Sequence, residues 1–583
     1  MAASSESNVT TNLDLGSTRG APPHPTLLHC LRRWAVGEPD RPAYTLTGAG
    51  TDQVLSYGEL DHRARQLGAA LSARTRPGQP VLLLYPLGLD FVTTYFACLH
   101  AGVTPVPLDP GAGPAAQARL RAVATDCGAE LALVPAGKTR PMLDDLHLEQ
   151  WSPELWSGAP APAFDDLESE RQRQRAPGSP ALALLQYTSG STGASKGTRI
   201  SHANLMANMA MLQSVFGTSS RTVIVTWLPV FHDMGLIGNV LHAVYLGAHA
   251  VLLPTVTFLK RPERWLQAVT RFRATFSGAP NFAYDLCVDR VSAERCTELD
   301  LSSWEVAFNG AEPVRARTLE RFAGRFAASG FRRSSFVPTY GLAEATLVVS
   351  GNHASSPVIV HVDAEQLRHG RVQLVSGAAE GAAPAVGVGG VAHGDQRLRI
   401  VDPVTLVACE PDRVGEIWVS GAHVSEGYHR QGHAQQSDPA FGARLPGDAR
   451  CYLRTGDLGF LSNGELFITG RHKDLIIVRG RNLYPQDLEL TAECVAPDLR
   501  KGASAAFEAG REGEGHVVVV VEVEPRHRTS PEALAATVAA ELQREHELPA
   551  VEVVVVRRAS VPKTTSGKVQ RRACRQLLAS GSL

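Results

Sequence analysis

From Leu27 onward, short apolar runs such as Val81–Tyr85 and Ala181–Tyr187 alternate with segments of helical period such as Tyr57–Ala73. Apolar runs without polar alternation suit strands buried on both faces, and alternation of strands with helices calls for mainly parallel sheets covered by helices. Trp265, Val269, Phe272 and Phe276 keep helical spacing on one face before a short strand and another helix. Asn463-Gly464 between apolar flanks predicts a tight hairpin within Phe460–Thr469. After about Gly470 the pattern changes: Val517–Val523 and Val551–Val556 read as strands, and Ser530-Pro531 opens a helix running to about Glu545. Residues 136–180, rich in Pro, Ala and charge, read as a surface excursion, and Gly377–Gly390 as a low-complexity stretch. The expected fold class is α/β. A flexible tail over 1–25 precedes a large multi-sheet α/β domain over 26–470, a hinge over 471–475 and a small mobile α+β domain over 476–583.

Composition removes several function classes. Lys+Arg 57 against Asp+Glu 58 leaves a net charge of −1, which argues against a nucleic-acid binder. Nine cysteines without a CxxC pair read as reduced thiols. The first 25 residues are Ser/Thr/Asn-rich and lack the apolar core of a secretory signal. The uncharged stretch Phe91–Leu108 is interrupted by His100, Gly102, Pro105 and Pro107, so no transmembrane segment is expected. These features describe a soluble, cytoplasmic protein. Only seven of the 57 basic residues are lysines, and four of the seven (Lys196, Lys473, Lys563 and Lys568) fall in Gly-rich or polar motifs. Lysine offers a compact, mobile charge that the planar arginine fork cannot imitate.

The loop Thr188-Ser-Gly-Ser-Thr-Gly-Ala-Ser-Lys-Gly197 directly follows an apolar strand. Its glycines let backbone N–H groups approach an anion, its hydroxyls add donors, and Lys196 adds charge. It is not a Walker A loop, because Ser195 stands where the glycine before the lysine is required. His232-Asp233 suggests acid–base or metal chemistry, but no further His or Cys lies at zinc-ligand spacing.

Taken in order, Tyr187–Gly197, Tyr340-Gly-Leu-Ala-Glu344, Tyr452-Leu-Arg-Thr-Gly-Asp457, Gly470-Arg-His-Lys-Asp-Leu-Ile-Ile477 and Pro562-Lys-Thr-Thr-Ser-Gly-Lys568 resemble the core motifs of the adenylate-forming superfamily. That group comprises acyl-CoA synthetases, peptide-synthetase adenylation domains and luciferases. Within it, Trp227-Leu-Pro…Phe231-His-Asp-Met-Gly-Leu-Ile-Gly238, Asn309-Gly-Ala-Glu-Pro313, Gly341-Leu-Ala-Glu-Ala-Thr-Leu347 and Gly480-Arg-Asn-Leu-Tyr-Pro-Gln-Asp487 are phrased as in the fatty acyl-AMP ligases.

The resemblance implies that a fatty acid and ATP, with Mg²⁺, give an acyl adenylate and pyrophosphate, after which the acyl group passes to a thiol. It assigns Thr188, Ser189, Gly190, Ser191, Thr192, Gly193 and Lys196 to the phosphates, and Thr188 and Glu344 to Mg²⁺. Tyr340 packs on the adenine, with Asn309, Gly310, Ala311, Glu312, Gly341 and Leu342 around the base. Asp457 accepts from the ribose hydroxyls, with Arg471 beside it. Catalytic roles fall to Lys568, Glu344 and His232, the last beside the substrate carboxylate, and Lys473 marks the hinge. Where amino-acid-activating relatives place an Asp to pair the substrate ammonium, Phe231 is followed by His232 among Met234, Leu236 and Ile237, which favours an apolar acid.

Ala343 replaces the threonine usual in the superfamily, a change the acyl-AMP branch tolerates. Residues 348–386 look like the extra segment of that branch, associated with transfer to carrier-protein phosphopantetheine rather than to free CoA. No Gly-x-Asp-Ser-Leu carrier site occurs in the chain, so the acceptor is expected to be a separate acyl carrier protein. Two rivals stand at this level: a fatty acyl-CoA synthetase, and a non-catalytic acyl or nucleotide sensor. The joint presence of Lys196, Glu344, Asp457 and Lys568 speaks against the sensor.

Overall fold

The structure, a computed structural model, describes residues 26–583 except 49, 112, 138–142, 144–147, 153–180, 189–194, 378, 380, 391–393, 430–437, 511–515, 526, 528, 565 and 566. The expected tail over 1–25 and most of the 136–180 excursion therefore lie outside the described residues.

The central sheet has seven strands, in the order Phe336–Pro338, Val306–Asn309, Phe276–Ala279, Val223–Thr226, His249–Leu252, Pro42–Leu46 and Gln53–Ser56. All neighbours are parallel except the final pair. A second, all-parallel sheet orders Thr104–Pro107, Pro80–Leu83, Leu131–Leu133 and Glu149–Trp151. The strands of these two sheets are three to five residues long, and inner ones such as Phe276–Ala279 and Val306–Asn309 are buried along their whole length, in keeping with runs such as Val81–Tyr85. Parallel sheets leave connecting loops at the carboxyl ends of their strands, the usual place for ligands.

The expectation of mainly parallel sheets fails for the third sheet. Its seven strands, from Leu374–Val375 and Ile359–Asp363 through Ala382–Gly390, Glu465–Arg471, Leu453–Ser462 and Gly415–Ser420 to Arg397–Val401, are all antiparallel. The stretch read as low-complexity contributes the strand Ala382–Gly390 to its middle. Composition hid that strand because glycine is needed there. Gly389 has φ +89°, and a Cβ on it would lie 2.3 Å from the Gly351 carbonyl carbon. Asn463 and Gly464, with φ 49° and 79°, make the expected tight turn between Leu453–Ser462 and Glu465–Arg471.

The helix Glu263–Phe272 carries Trp265, Val269 and Phe272, whereas Phe276 opens the next strand. Helical spacing extended across a three-residue connection by coincidence. Trp265 is fully buried, donates through Nε1 to Ser277 Oγ at 2.8 Å, and packs against Trp227, Phe258, Tyr284 and Trp304. The helix His202–Phe216 starts at a capping box: Ser201 accepts from the Asn204 backbone, and Asn204 accepts from the Ser201 backbone.

Residues 476–583 build their own apolar cores, around Leu488, Val519 and Val538 on one side of a three-stranded sheet and Phe507, Val518 and Cys574 on the other. That sheet pairs Leu499–Ala509 with His516–Val523 antiparallel and His516–Val523 with Val551–Val556 parallel. The helix Pro531–His546 begins at Ser530, whose hydroxyl accepts from Ala533 N–H. Arg317 contacts Cys494 Sγ at 3.1 Å and Lys501 lies 3.8 Å from Asp289, joining the small unit to the large one. The helix Ala364–Arg368 adds a second junction, with Glu365 paired to Arg481 at 3.0 Å and Arg368 donating to the Glu545 carbonyl at 3.3 Å. All nine cysteines are free thiols. Among the described residues no helix is long and apolar enough to cross a membrane.

His202, His242 and His546 are buried, and burial pushes their pKa values from 6.5 down to about 4, about 3 and about 4. The folded rings stay neutral while the unfolded ones protonate below 6.5. The unfolded chain therefore binds more protons, and stability present above about pH 6.5 declines as the pH falls toward about 4. Thermal unfolding should shift to lower temperature between about pH 7.5 and about pH 5, and His242→Gln should shrink that shift.

Candidate active site

The strand Leu182–Thr188 pairs antiparallel with Lys196–Ser201, placing Thr188 opposite Lys196 at the loop end of the pair. Ser189, Gly190, Ser191, Thr192 and Gly193 lie outside the described residues. Gly197 is required by close packing, since a Cβ there would stand 2.6 Å from the Tyr187 ring. Lys196 Nζ lies 4.4 Å from the centre of the Tyr428 ring and 3.5 Å from Asp438 Oδ2.

Tyr428 also donates its hydroxyl to Glu344 Oε1 at 2.6 Å. One aromatic side chain thus ties the loop lysine to the carboxylate of a distant motif. Glu344 sits on the single turn Ala343–Ala345, after the bridge residues Tyr340-Gly341. A Cβ on Gly341 would fall 1.9 Å from the Leu347 carbonyl oxygen, so this hairpin closes only around glycine. The turn ends at Thr346, buried with φ 68°, a region costly for a β-branched residue. A hydrogen bond from its hydroxyl to the His423 carbonyl at 2.6 Å holds it there.

Asp457 is buried and accepts from one side-chain donor on each oxygen. Tyr340 donates to Oδ2 and Arg471 Nε to Oδ1, each at 2.8 Å. Its turn is fixed from behind by Glu416, buried, which accepts from Gly456 N–H at 3.0 Å and from Arg454 and Trp418. Each carboxylate oxygen of Asp457 keeps a lone pair for a further donor.

Asn309 ends its parallel strand with a fully buried side chain, donating to Asn281 Oδ1 at 3.1 Å. Gly310, Ala311 and Glu312 follow at the strand's carboxyl end, with Ala311 held at φ 72°. A Cβ on Gly310 would meet Thr339 Oγ1 at 2.5 Å. Leu342 N–H donates back to the Leu347 carbonyl at 2.9 Å, continuing the Tyr340 hairpin.

Lys568 arrives from the small unit on a turn closed by Thr564, which donates N–H to the Lys568 carbonyl at 2.7 Å and accepts Lys568 N–H on Oγ1 at 3.0 Å. Gly567, with φ +86°, faces Phe282 of the large unit. Lys568 is itself exposed; the surrounding protein and Arg471 push its pKa down, while Asp233, Glu312 and Asp457 pull it up. Its electrostatic partners are thus three carboxylates of the large unit, on the helical turn Asp233–Gly235, after the strand Val306–Asn309 and on the strand Leu453–Ser462. His232 is pushed down to about 3, by burial first and then by the charges of Lys568 and Arg119. Its ring is neutral at physiological pH and acts as a hydrogen-bonding group rather than a charge. Asp233 has its pKa raised by burial, opposed by Lys568, and accepts Met234 N–H at 2.7 Å.

The fold thus gathers Lys196, Glu344, Tyr340, Asp457, Arg471, His232 and Lys568 from strands, turns and both units. Lys473 is exposed on the turn His472–Asp474, just after the strand carrying Arg471, and Asp474 of that turn pairs with Arg571 at 3.0 Å. The sequence reading did not single out Tyr428, Arg119 or Asp438. A lone tyrosine after a glycine, an arginine on an amphipathic helix and an aspartate before a proline carry no periodic or spacing signature. Among the described residues no group of three or more His, Cys, Asp or Glu side chains is placed to hold a metal ion. One carboxylate, Glu344, with a hydroxyl, Thr188, is a donor set suited to a Mg²⁺ ion whose other ligands are phosphate oxygens and water.

Residues 31–429 match the family described as AMP-binding enzyme, and residues 473–583 match one described as Disco-interacting protein 2-like, AMP domain. The chain is 38% identical over 572 residues to the medium-chain-fatty-acid–[acyl-carrier-protein] ligase JamA of Moorena producens, covering 96% of each. It is 34% identical to the ligase of the same description, TtuA, from Teredinibacter turnerae, covering 96% of this chain and 94% of that one. Among solved structures, a fatty acyl-adenylate ligase from L. pneumophila in complex with acyl adenylate and pyrophosphate aligns over 96% of each chain, with a TM-score of 0.71 and 36% identity. A family match spanning more than half of the residues, joined to relatives similar along nearly the full length, makes this chain a member of the AMP-binding enzyme family.

Proposed function

We propose that the protein activates a fatty acid with ATP to a fatty acyl-AMP, releasing pyrophosphate, and then passes the acyl group to the phosphopantetheine thiol of a separate acyl carrier protein. The observation that carries this reading is that Tyr428 joins Glu344 to Lys196 while Tyr340 and Arg471 pin Asp457, an arrangement that suits a polyanionic nucleotide, with Lys568 coupled electrostatically to Asp457 and His232. In the first step a carboxylate oxygen attacks the α-phosphorus and the bond to pyrophosphate breaks. Both partners are anionic, so the protein's contribution is neutralisation and alignment.

Each residue's part follows from its chemistry. Lys196, with the backbone of the preceding loop, takes the β- and γ-phosphates. Asp457, already pinned by Tyr340 and Arg471, accepts from the ribose hydroxyls. Tyr340 covers the adenine, and Gly310–Glu312 and Gly341-Leu342 border it. Glu344 and Thr188 would hold Mg²⁺, which when bound would neutralise phosphate charge. Lys568 places its ammonium against the carboxylate and the bridging oxygen, and neutral His232 holds the carboxylate's orientation without competing for its charge. In the second step the thiolate sulfur attacks the acyl carbonyl carbon and AMP leaves.

Lys568 belongs to residues 476–583, and Lys473 with neighbours 471–475 forms the hinge by which that unit turns between the two steps. Residues 348–386 act as the element that steers the acyl group toward a carrier. Their helix Ala364–Arg368, tied to Arg481 and the Glu545 carbonyl, supports that reading because it braces the moving unit.

Purified protein offered ATP, Mg²⁺ and a panel of medium- and long-chain fatty acids should form acyl-AMP that persists when free CoA is added. Conversion to acyl-CoA would instead identify a CoA synthetase. Lys568→Ala should lower acyl-AMP formation by two or more orders of magnitude while leaving ATP binding, read by calorimetry, within a few-fold. Unimpaired turnover in that variant would overturn the assignment. Tyr428→Phe keeps the ring under Lys196 but removes the Glu344 hydrogen bond. It should raise the Mg²⁺ concentration for half-maximal rate and cost roughly tenfold in kcat/KM, equivalent to about 1.4 kcal/mol.

A further inference from the structure

The short helix Thr255–Lys260 presents two apolar side chains to solvent one turn apart, Val256 at 57% exposure and Leu259 at 46%. Lys260, Arg261 and Arg264 are exposed directly beside and after them, and half-buried Glu263 is the one acidic residue in the stretch 255–264. Scattered surface leucines need no explanation. This pair is distinguished by what stands behind it. Phe258, between them in the chain, is fully buried and stacks on Trp227 with ring centres 3.8 Å apart. Trp227 meets Phe282 edge-on at 6.1 Å, and Phe282 faces Gly567, the residue before Lys568. Three aromatic rings in series, Phe258, Trp227 and Phe282, therefore connect the exposed helix to the turn that carries Lys568.

We infer that Val256, Leu259, Lys260, Arg261 and Arg264 form the docking face for the acyl carrier protein, an inference that rests on the function proposed above. A carrier must bring the tip of its prosthetic arm to the acyl adenylate, so its body has to settle on protein surface close to the cleft. The charges decide its chemistry. Three neighbouring cations with one half-buried acid attract an acidic partner and repel a basic one, raising the encounter rate with little cost in buried charge. The two apolar side chains supply the desolvated centre that such a rim surrounds. A lipid surface is the poorer occupant, because a six-residue helix offering two apolar side chains buries too little area to hold a bilayer.

The test compares Val256→Ser/Leu259→Ser and Lys260→Glu/Arg261→Glu/Arg264→Glu with the wild type, using a purified, phosphopantetheinylated acidic acyl carrier protein and free pantetheine as acceptors. Acyl-AMP formation without acceptor and transfer to free pantetheine should be unchanged in both variants. The KM for the carrier should rise at least tenfold in each, with kcat nearly constant. The charge-reversed variant should also lose the salt dependence of kcat/KM. An unchanged carrier KM in both variants, with normal acyl-AMP formation, overturns the docking face alone. An equal loss with free pantetheine overturns it too, by placing the residues in the chemistry. Loss of binding to phosphatidylglycerol vesicles with unchanged carrier KM reassigns the face to a membrane. Failure of the wild type to make acyl-AMP removes the function beneath the inference, and the inference with it.

Discussion

The site depends on the charge that residues 476–583 present to carboxylates of the large unit. Lys568, itself exposed, is coupled electrostatically to Asp233 on a helical turn, to Glu312 after the strand Val306–Asn309 and to Asp457 on the strand Leu453–Ser462. The surrounding protein and Arg471 push its pKa down, and these carboxylates push it up.

Much of the remaining architecture keeps those segments in place. The parallel central sheet sets Asn309 and the residues after it at its carboxyl edge, and the aromatic cluster centred on Trp265 fills the space behind. The antiparallel sheet delivers Asp457 and Arg471 from adjacent, paired strands, which explains why they meet at 2.8 Å despite their separation in the chain. Tyr428 then links this sheet's connection to the hairpin that bears Lys196 and to the turn that bears Glu344. Lys196 and Glu344 thus share one support. The backbone at Thr346 and Ala311, both at positive φ without being glycine, shows where conformational cost is concentrated beside the cleft.

Several features of the fold were legible in the residues themselves. Asn463-Gly464 specified its hairpin, because only residues tolerant of positive φ fit that two-residue turn. Ser530 announced its helix through a side-chain cap. The strand Leu182–Thr188 was legible as an unbroken apolar run before a polar loop. By contrast, Phe276 obeyed helical spacing and yet begins a strand, since a three-residue break resets the period without disturbing the count. The strand Ala382–Gly390 was concealed because its glycines, placed for close backbone approach, look like low complexity.

For the site, sequence alone determined which chemical groups were available. A glycine- and hydroxyl-rich loop ending in lysine, isolated acids at Glu344 and Asp457, and a rare lysine at 568 were visible as ordered motifs. Only the tertiary structure decided which of them meet. That Asp233 raises the Lys568 pKa, that Arg119 helps lower the His232 pKa, and that Tyr428 joins Glu344 to Lys196 depend on proximity between residues far apart in the chain. A charge's neighbours, its burial and hence its protonation are properties of packing. Local sequence encodes the group, and the fold supplies the field in which it acts.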